Sequence, residues 1–245
     1  MSDGIDVRKC ETLEEFHACV ALQREIWGEA DLEVEPATMF VVASHTGGQV
    51  LGAFDGRKLV GYTLALAGLR NGAPYFHSHM TGVQSEYRDR GVGRMLKLFQ
   101  RDEALSRDVR LIEWTFDPFE LRNAHFNLNR LGAICRRYLP NLYGVTSSPL
   151  HRGMATDRLV AEWFLDSPRV MAALNDELAS PQFSTPVDVA TVDDNGGADG
   201  LARLQSRQKV IRDQFTEAFA KGYAAVGISK TGDGGKYLLA PWSDF

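Results

Sequence analysis

Residues 83–96 read VQSEYRDRGVGRML, and this stretch carries the strongest indication of chemistry in the sequence. It follows a predicted strand that ends at Val83 and precedes a predicted helix that begins at Gly91. Successive backbone N–H groups in such a turn can point at one anion, and the positive end of the helix dipole lies at the same place. Gly91 and Gly93 let the backbone approach a ligand closely. The stretch therefore predicts an anion-binding turn.

Arg88, Arg90 and Arg94 surround this turn with positive charge, which favours a diphosphate as the anion. The pattern lacks the third glycine of the dinucleotide fingerprint Gly-x-Gly-x-x-Gly and the Gly-Lys-Ser/Thr of a Walker loop, so it indicates neither of those phosphate sites. A plain glycine turn that leads into an amphipathic helix, with solvated arginines, is the alternative interpretation of the same residues.

The residues at the start of the chain predict a strand followed by two helices. Residues 5–9 alternate like a strand. Thr12, with Glu15 three residues later, forms the capping box of a helix that Gly28 ends. Pro36 is placed to begin a second, short helix.

Around the anion-binding turn, the pattern predicts a mixed sheet. Two strands, 50–54 and 59–66, flank a hairpin turn at 55–58, and a third strand runs from Tyr75 to Val83. Strands and helices alternate beyond the turn, with a helix at 91–108, a strand at 111–116, a helix at 121–131 and a strand at 134–143. An order that is first rich in strands and then alternating indicates an α/β protein whose sheet is not purely parallel.

A second segment follows from about residue 149, and the predicted domains are therefore 1–150 and 151–245. We expect 188–200, which contains four aspartates and no basic residue, to form a mobile loop. The other predicted elements are a strand at 158–165, a helix at 168–178 behind a Ser167 cap, a strand at 187–191, a helix at 201–221 and a C-terminal hairpin.

Composition limits the classes of function. The chain has 245 residues, 44% hydrophobic and 24% charged, as in a soluble globular protein. Its net charge of −5 argues against nucleic acid as a partner. Apolar stretches are far shorter than the roughly 20 residues of a spanning helix, and the first residues carry no secretory signal. Because the three cysteines also form no zinc or disulfide pattern, we expect a cytoplasmic protein with no membrane partner.

Arg88, Gly91 and Gly93 fit the pattern Arg or Gln, two residues, Gly, one residue, Gly or Ala. The stretch thereby resembles the pyrophosphate-binding motif of the GNAT superfamily of CoA-dependent N-acyltransferases, and the order of elements over about 5–146 is similar to that fold. The resemblance implies an α/β fold of the α+β type, with a mixed, mostly antiparallel central sheet flanked by helices. The stretch 114–118 and the residues after 150 further resemble a branch of predicted acyltransferases with a long C-terminal extension, so 151–245 is expected to be an α/β extension.

The same resemblance implies acetyl-CoA, or another acyl-CoA, as the cofactor, and no metal. Main-chain groups of one strand would bind the pantetheine arm, the turn would bind the diphosphate, and two asparagines four residues apart on the next helix would bind the pantetheine. In this sequence these are Thr81, Gly82 and Val83; Arg88, Asp89, Arg90, Gly91, Val92, Gly93 and Arg94; and Asn123 and Asn127.

Amine acylation requires a proton acceptor, and donors for the oxyanion. The resemblance implies that the N–H of Val83 is the oxyanion donor. His79, Asp117 and Glu113 are candidate bases on the two central strands, although His79 can equally be a core histidine and Asp117 can cap the turn at Pro118.

Many family members have a tyrosine that protonates the departing thiolate, and here that position is Leu128. Tyr143 and Tyr138 are possible substitutes, and a thiolate leaves readily without an acid. In this family the loop at 28–36 lines the acceptor site, so Trp27 beside it is a candidate substrate-binding residue. Arg158 is another, since it can pair with an acceptor carboxylate, or instead with Asp157 or Glu162.

These observations predict an N-acetyltransferase, or short-chain N-acyltransferase, that acts on a primary amine of a small molecule. Dimers are common in the family that the chain resembles, so a homodimer is among the expectations. Two alternatives stay open. One is a catalytically inactive acyl-CoA sensor or structural protein, which the missing tyrosine favours. The other is a larger donor such as succinyl-CoA, which needs a basic group near the acyl end. A nucleotide-binding regulator is a more distant possibility.

Overall fold

The structure is a computed structural model that describes residues 4–28, 34–144, 153–179, 185–190, 198–231 and 234–242. The chain divides into two compact units, Met1–Glu113 and Trp114–Phe245. The predicted domains, 1–150 and 151–245, divide the chain at another point and stay a prediction.

The first unit contains a mixed sheet with helices on both faces. Its strands are β1 (Ile5–Lys9), β2 (Gln49–Asp55), β3 (Lys58–Arg70), β4 (Ala73–Val83) and β5 (Leu111–Phe116), of which β5 crosses the boundary to the second unit. They lie in that order, and every neighbouring pair is antiparallel except β4 and β5, which are parallel. The helices are α1 (Leu13–Trp27), α2 (Ala37–His45) and α3 (Val92–Leu105).

The helix ends follow from local chemistry. The Thr12 hydroxyl accepts from the Glu15 N–H, and the Glu15 carboxylate accepts from the Thr12 N–H, so the predicted capping box is present. Gly28 ends α1 in the left-handed region, at φ 60°. Pro36 is the N-cap of α2, as its fixed φ allows.

Two hydrophobic clusters hold the helices to opposite faces of this sheet. Alternate residues of a strand point to opposite faces. The α1–α2 side contains the buried Phe16, Phe40 and Tyr62, and the α3 side contains Leu51 and Leu96. The sheet between them carries the anion-binding turn at the end of β4.

The second unit is built on antiparallel pairs. Its strands are β6 (Ile134–Leu139), β7 (Arg158–Phe164), β8 (Thr185–Ala190), β9 (Tyr223–Thr231) and β10 (Gly234–Pro241), in the order β7-β6-β9-β10-β8. Its helices are α4 (Leu121–His125), α5 (Pro168–Leu174) and α6 (Ala198–Ala220). Trp163 and Phe215 are fully buried in its core.

Several predicted boundaries are wrong in detail. The helix expected at 121–131 is one α-helical turn, α4, that continues as a π-type turn over Phe126–Arg130. The strand expected at 134–143 ends before Pro140, and α5 ends at Leu174, shortly before Asp176 at φ 62°. The loop expected at 188–200 is ordered at both ends, since β8 reaches Ala190 and α6 begins at Ala198; residues 191–197 lie outside the described residues.

The three cysteines are free and buried. Among the described residues, no helix combines the length and the hydropathy needed to cross a bilayer.

Candidate functional site

The turn between β4 and α3 adopts the backbone conformation of an anion-binding loop. A single 3₁₀ turn, Ser85–Tyr87, leads to Arg88 in extended conformation and to Asp89 in the left-handed region, at φ 61°. Gly91 follows at φ 82°, and a Cβ at this position would meet no atom within 4 Å. Glycine is therefore required at residue 91 by its backbone conformation and not by crowding.

The residue that precedes α3 has no side chain to cap the helix. Gly91, the N-cap residue, offers no side-chain acceptor, and the first helical hydrogen bond runs from the Met95 N–H to the Gly91 carbonyl at 3.0 Å. The N–H groups of Val92, Gly93 and Arg94 consequently have no acceptor within the helix. The Val92 side chain is buried against the sheet, so only its amide can serve a ligand. This is the geometry in which helices bind phosphate groups.

Positive charge surrounds this N-terminus. Arg88 and Arg90 are exposed, and Arg94 is partly buried. The Arg88 Nε donates to the Val83 carbonyl at 3.3 Å. The Arg90 guanidinium lies 4.7 Å from the centre of the Tyr87 ring. Tyr87 therefore makes a cation–π contact with Arg90, which the sequence pattern did not indicate. The predicted Asp89 is exposed and contributes the left-handed residue of the turn.

β4 is paired on both edges over only part of its length. Its register with β5 covers Phe76 with Ile112 and His77 with Glu113. Within the described residues of the first unit, the pairing with β5 goes no further, so residues 78–83 have an open edge. A strand edge of this kind presents free N–H and C=O groups.

Thr81 and Val83 direct their main-chain groups toward that open edge. The Gln84 N–H donates to the Val60 carbonyl at 2.9 Å, and residue pairs in an antiparallel ladder alternate between bonded and non-bonded. By this alternation the Gly82 groups face β3, whereas those of Thr81 and Val83 point away from it. Two of the three predicted pantetheine-binding residues thus have groups that can reach a ligand.

Gly82 serves close packing instead. A Cβ at Gly82 would lie 2.8 Å from both Ile26 Cδ1 and Trp27 Cη2. Trp27, a predicted substrate-binding residue, also makes an edge contact with Tyr62 at 6.2 Å between ring centres. The structure places Trp27 at the end of α1 against β3 and β4, and residues 29–33 of the predicted acceptor loop lie outside the described residues.

His79 lies in a β-bulge. The β3–β4 register passes from Leu64 with Met80 to Ala65 with Ser78, and therefore leaves His79 without a partner residue in β3. Bulges re-aim side chains and are common beside active sites. The His79 Nε2 lies 3.0 Å from Glu35 Oε1, a partner that the sequence analysis did not identify.

Glu113, the third candidate base, is held by an arginine. Its side chain is buried, and both of its carboxylate oxygens accept from Arg70, with 2.8 Å between Nη2 and Oε2. A carboxylate fixed in a bidentate pair is a poor proton acceptor, so the geometry favours His79 over Glu113 in the first unit.

In the second unit, the structure brings together three residues that the sequence analysis had selected separately. The Arg158 guanidinium lies 3.7 Å from Asp117 Oδ2 and 5.6 Å from the centre of the Tyr143 ring. The Tyr143 hydroxyl is 3.0 Å from the Thr115 hydroxyl. Arg158 therefore contacts Asp117, as a pairing with a nearby carboxylate requires, while Asp117 Oδ1 also caps the following turn at the Phe119 N–H.

The two predicted asparagines differ in burial. Asn123 lies in α4 and is exposed, whereas Asn127 lies in the π-type turn at Phe126–Arg130 and is 2% exposed. The Asn127 Nδ2 is buried and has no hydrogen-bond acceptor among the described residues. A buried donor without an acceptor is costly, and a ligand carbonyl would satisfy it. Leu128, at the position of the family's tyrosine, is fully buried.

Tyr138, the other possible substitute for that tyrosine, has a structural role. Its hydroxyl donates to Asp157 Oδ2 at 2.8 Å, and burial together with this carboxylate raises the pKa of Tyr138 well above its usual value. Asp157 also accepts from the Asn141 N–H and binds the Arg212 guanidinium through both oxygens, each at 2.9 Å. Tyr138 thus belongs to a buried cluster that joins β6, β7 and α6, and Tyr143 is the better candidate acid.

The residues of each unit fit the implied cofactor. The first unit offers the first N–H groups of α3, the groups of Thr81 that point away from β3, and the Val83 N–H, since the Val83 carbonyl already accepts from Arg88. The second unit contains the Asn127 Nδ2 without an acceptor among the described residues. Among the described residues, no three His, Cys, Asp or Glu side chains are grouped as a metal site would require. That no metal takes part stays a prediction.

Comparison with known proteins identifies the fold. No protein-family profile and no curated protein sequence matches the chain. Its structure is similar to the ribosomal-protein-S18-alanine N-acetyltransferase from Escherichia coli, with a TM-score of 0.54, 13% identity, and 66% of this chain and 95% of that chain covered. It is also similar to Arabidopsis thaliana NAA60 in complex with acetyl-CoA, with a TM-score of 0.53, 14% identity, and 65% of this chain and 99% of that chain covered. A third similar structure is aminoglycoside 6'-acetyltransferase type Ii, with a TM-score of 0.51, 18% identity, and 66% of this chain and 98% of that chain covered.

The chain therefore has the fold of the GNAT acetyltransferases, and the predicted fold class, a mixed and mostly antiparallel sheet flanked by helices, is confirmed. These solved structures are acetyltransferases that differ in their acceptors. At 13–18% identity the likeness establishes the fold and leaves acceptor and donor to be inferred from this chain's own residues.

Proposed function

We propose that this protein is a CoA-dependent N-acyltransferase that moves an acetyl group from acetyl-CoA to a primary amine of a small molecule. The observation that carries the proposal is the anion-binding turn at the N-terminus of α3, directly after a strand with an open edge. A diphosphate and an extended, amide-bearing arm together match these two neighbouring features.

The residues of the first unit would divide the binding. The N–H groups of Val92, Gly93 and Arg94 would bind the diphosphate, and Arg88 and Arg90 would neutralise its charge. The groups of Thr81 that point away from β3 would pair with the amide-bearing arm, which leaves the Val83 N–H for the acyl oxygen. In the second unit, the Asn127 Nδ2, which lacks an acceptor among the described residues, would donate to a ligand carbonyl.

Bound acetyl-CoA supplies an acyl group that is activated as a thioester. The Val83 N–H would stabilise negative charge that develops on the acyl oxygen when the amine nitrogen bonds to the acyl carbon. His79 would take the proton that this nitrogen loses, with Asp117 as the alternative base. The sulfur leaves as a thiolate, which needs no acid to depart and takes its proton from solvent; Tyr143 stays a predicted acid.

A thiol-release assay with acetyl-CoA tests the proposal. Amino acids, polyamines, an aminoglycoside and peptides with a free N-terminus should be compared as acceptors, since the similar structures include a ribosomal-protein N-acetyltransferase and an aminoglycoside acetyltransferase. We expect release with at least one small amine, and a loss of about a hundredfold or more in His79→Ala. His45→Ala, an exposed histidine at the end of α2, is the matched control and should retain full activity.

A second candidate, a protein that binds acyl-CoA without transferring the acyl group, is favoured by one observation. The position of the family's tyrosine holds the buried Leu128, and Tyr143 lies elsewhere in the second unit. Binding of acetyl-CoA without thiol release for any amine would support this candidate. Preference for succinyl-CoA in competition would instead identify a larger donor.

A further inference from the structure

Glu35 and His79 form a pair that spans 44 residues of sequence. The bulge in β4 turns His79 toward Glu35, and the His79 Nε2 lies 3.0 Å from Glu35 Oε1. This length suits a hydrogen bond between an imidazole and a carboxylate.

Glu35 is held in place by its neighbours. It directly precedes Pro36, which confines the Glu35 backbone to extended conformations. Pro36 in turn begins α2, whose Phe40 and Ala43 are fully buried in the core. The side chains of His79 and Glu35 are 29% and 25% exposed. The backbone of Glu35 is thus restrained by Pro36 and by the buried residues of α2, while both side chains of the pair remain accessible to solvent.

The chemistry of the pair selects one form of the imidazole. An ionised carboxylate can only accept hydrogen bonds, so the proton between these groups must lie on the His79 Nε2. In neutral His79 the lone pair is then on Nδ1. Within the described part of the chain, Nδ1 makes no second hydrogen bond. It is therefore free to accept a proton from a bound molecule.

We propose that Glu35 is a positioning residue that holds His79 in the Nε2–H form, so that Nδ1 accepts the proton of the acceptor amine. This inference rests on the proposed function. The proton passes from the amine nitrogen to Nδ1, and the resulting imidazolium, which carries protons on both nitrogens, is stabilised by the Glu35 carboxylate. Glu35 itself stays ionised throughout.

Nitrogen NMR of the histidine rings tests the tautomer without any ligand. Long-range ¹⁵N–¹H spectra of the whole chain, at a pH where the imidazole is neutral, distinguish a protonated ring nitrogen from an unprotonated one. His79→Gln assigns the signal, and His77→Gln separates it from the neighbouring ring, whose centre is 6.3 Å away. We expect an unprotonated Nδ1 and a protonated Nε2 in the wild type, and shifts closer to a tautomer mixture in Glu35→Ala. A protonated Nδ1 in the wild type would overturn the inference, whatever the activity.

Kinetics of the Glu35 variants distinguish positioning from amine binding. We expect Glu35→Ala to lower kcat by about tenfold to a hundredfold with little change in the acceptor KM. Glu35→Gln should lose less of kcat than Glu35→Ala, because its amide oxygen still accepts from Nε2 although it no longer carries the charge that stabilises the imidazolium. Glu14→Ala removes an exposed carboxylate of α1 and is the control for charge. A raised acceptor KM with unchanged kcat would show that Glu35 binds the ammonium and would contradict positioning.

The two failures are separable. Absence of thiol release by the wild type, with the expected tautomer present, would refute the proposed function. Thiol release by the wild type with Glu35→Ala equally active, or with the opposite tautomer, would refute the role of Glu35.

Discussion

Lys97, on the buried face of α3, makes the stability of this protein depend on pH in a direction that can be stated in advance. The residue is 4% exposed, and its Nζ donates to Ser78 Oγ at 2.8 Å and to Gln100 Oε1 at 3.0 Å. Both acceptors are neutral. Burial disfavours the charged amine and lowers the pKa of Lys97 from 10.5 to about 7.

The direction in which the free energy of unfolding changes with pH follows from the number of protons that each state binds. Between pH 7 and 10.5 the unfolded chain holds a proton on Lys97 that the folded chain has largely lost, so the free energy of unfolding rises with pH in this window. At about 1.4 kcal/mol for each pH unit, less near the folded pKa, the contribution of Lys97 rises by about 2 kcal/mol between pH 7 and pH 9. Below pH 7 both states are protonated, and the contribution becomes constant.

Urea unfolding at pH 7, 8 and 9 of the wild type and of Lys97→Met measures this contribution. Methionine fills a similar volume without a charge, and Ser78 and Gln100 still lie within reach of each other, at 3.3 Å from Nε2 to Oγ. Other titrating groups contribute equally to both proteins and cancel in the difference. We expect the free-energy difference between wild type and variant to shift by about 2 kcal/mol in favour of the wild type from pH 7 to pH 9. Parallel pH dependences would refute the reasoning.

Two further predictions concern the second unit. Asp157→Ala leaves the Arg212 guanidinium, which is 33% exposed, and the partly buried Tyr138 hydroxyl without their buried carboxylate, and should lower the free energy of unfolding by about 1–3 kcal/mol in urea melts; no measurable loss would show that solvent replaces the carboxylate. Gly132→Ala should cost more than Gly222→Ala, since both sites have positive φ, at 75° and 80°, and only at Gly132 would the Cβ meet another Cβ, that of Ala173 at 2.8 Å. Equal melting temperatures for the two glycine variants would contradict the account of crowding.

Features set by neighbouring residues were predictable from the sequence. The capping box of Thr12 and Glu15 and the left-handed stop at Gly28 depend on contacts within one helical turn. The anion-binding turn at Gly91 was equally visible, because a glycine between a strand and a helix is itself the signal. The overall order of elements then needed the family resemblance, which the similar structures confirm at the level of fold.

Features set by distant residues were not predictable. No sequence pattern indicated that Glu35 contacts His79, although its place before Pro36 indicates a restrained backbone. Lys97 has the sequence position of a surface lysine on an amphipathic helix, and only the packing of α3 on the sheet buries it. The π-type turn at Phe126–Arg130, which contains Asn127, is equally absent from the 3.6-residue spacing on which the expected helix at 121–131 rested.

The roles of the turn residues can be separated from their effect on folding. Gly93 lies in the first turn of α3, and a Cβ there would meet one atom, Val83 Cγ2, at an ordinary 3.9 Å. Gly93→Glu should therefore fold, since helix N-termini favour acidic side chains, and should repel an anion from the same N–H groups. Gly91→Glu strains the backbone at φ 82°, and Gly72→Glu, at φ 80° and equally open, is its matched control.

Calorimetric titration of acetyl-CoA into the wild type, Gly93→Glu and Gly72→Glu tests the central claim most directly. We expect saturable binding of one acetyl-CoA by the wild type and by Gly72→Glu, and an affinity at least about tenfold weaker for Gly93→Glu, which corresponds to about 1.4 kcal/mol. Thermal melts of the three proteins check that each is folded. No binding by the wild type, or equal binding by folded Gly93→Glu, would contradict the assignment of the turn at α3 as the diphosphate site.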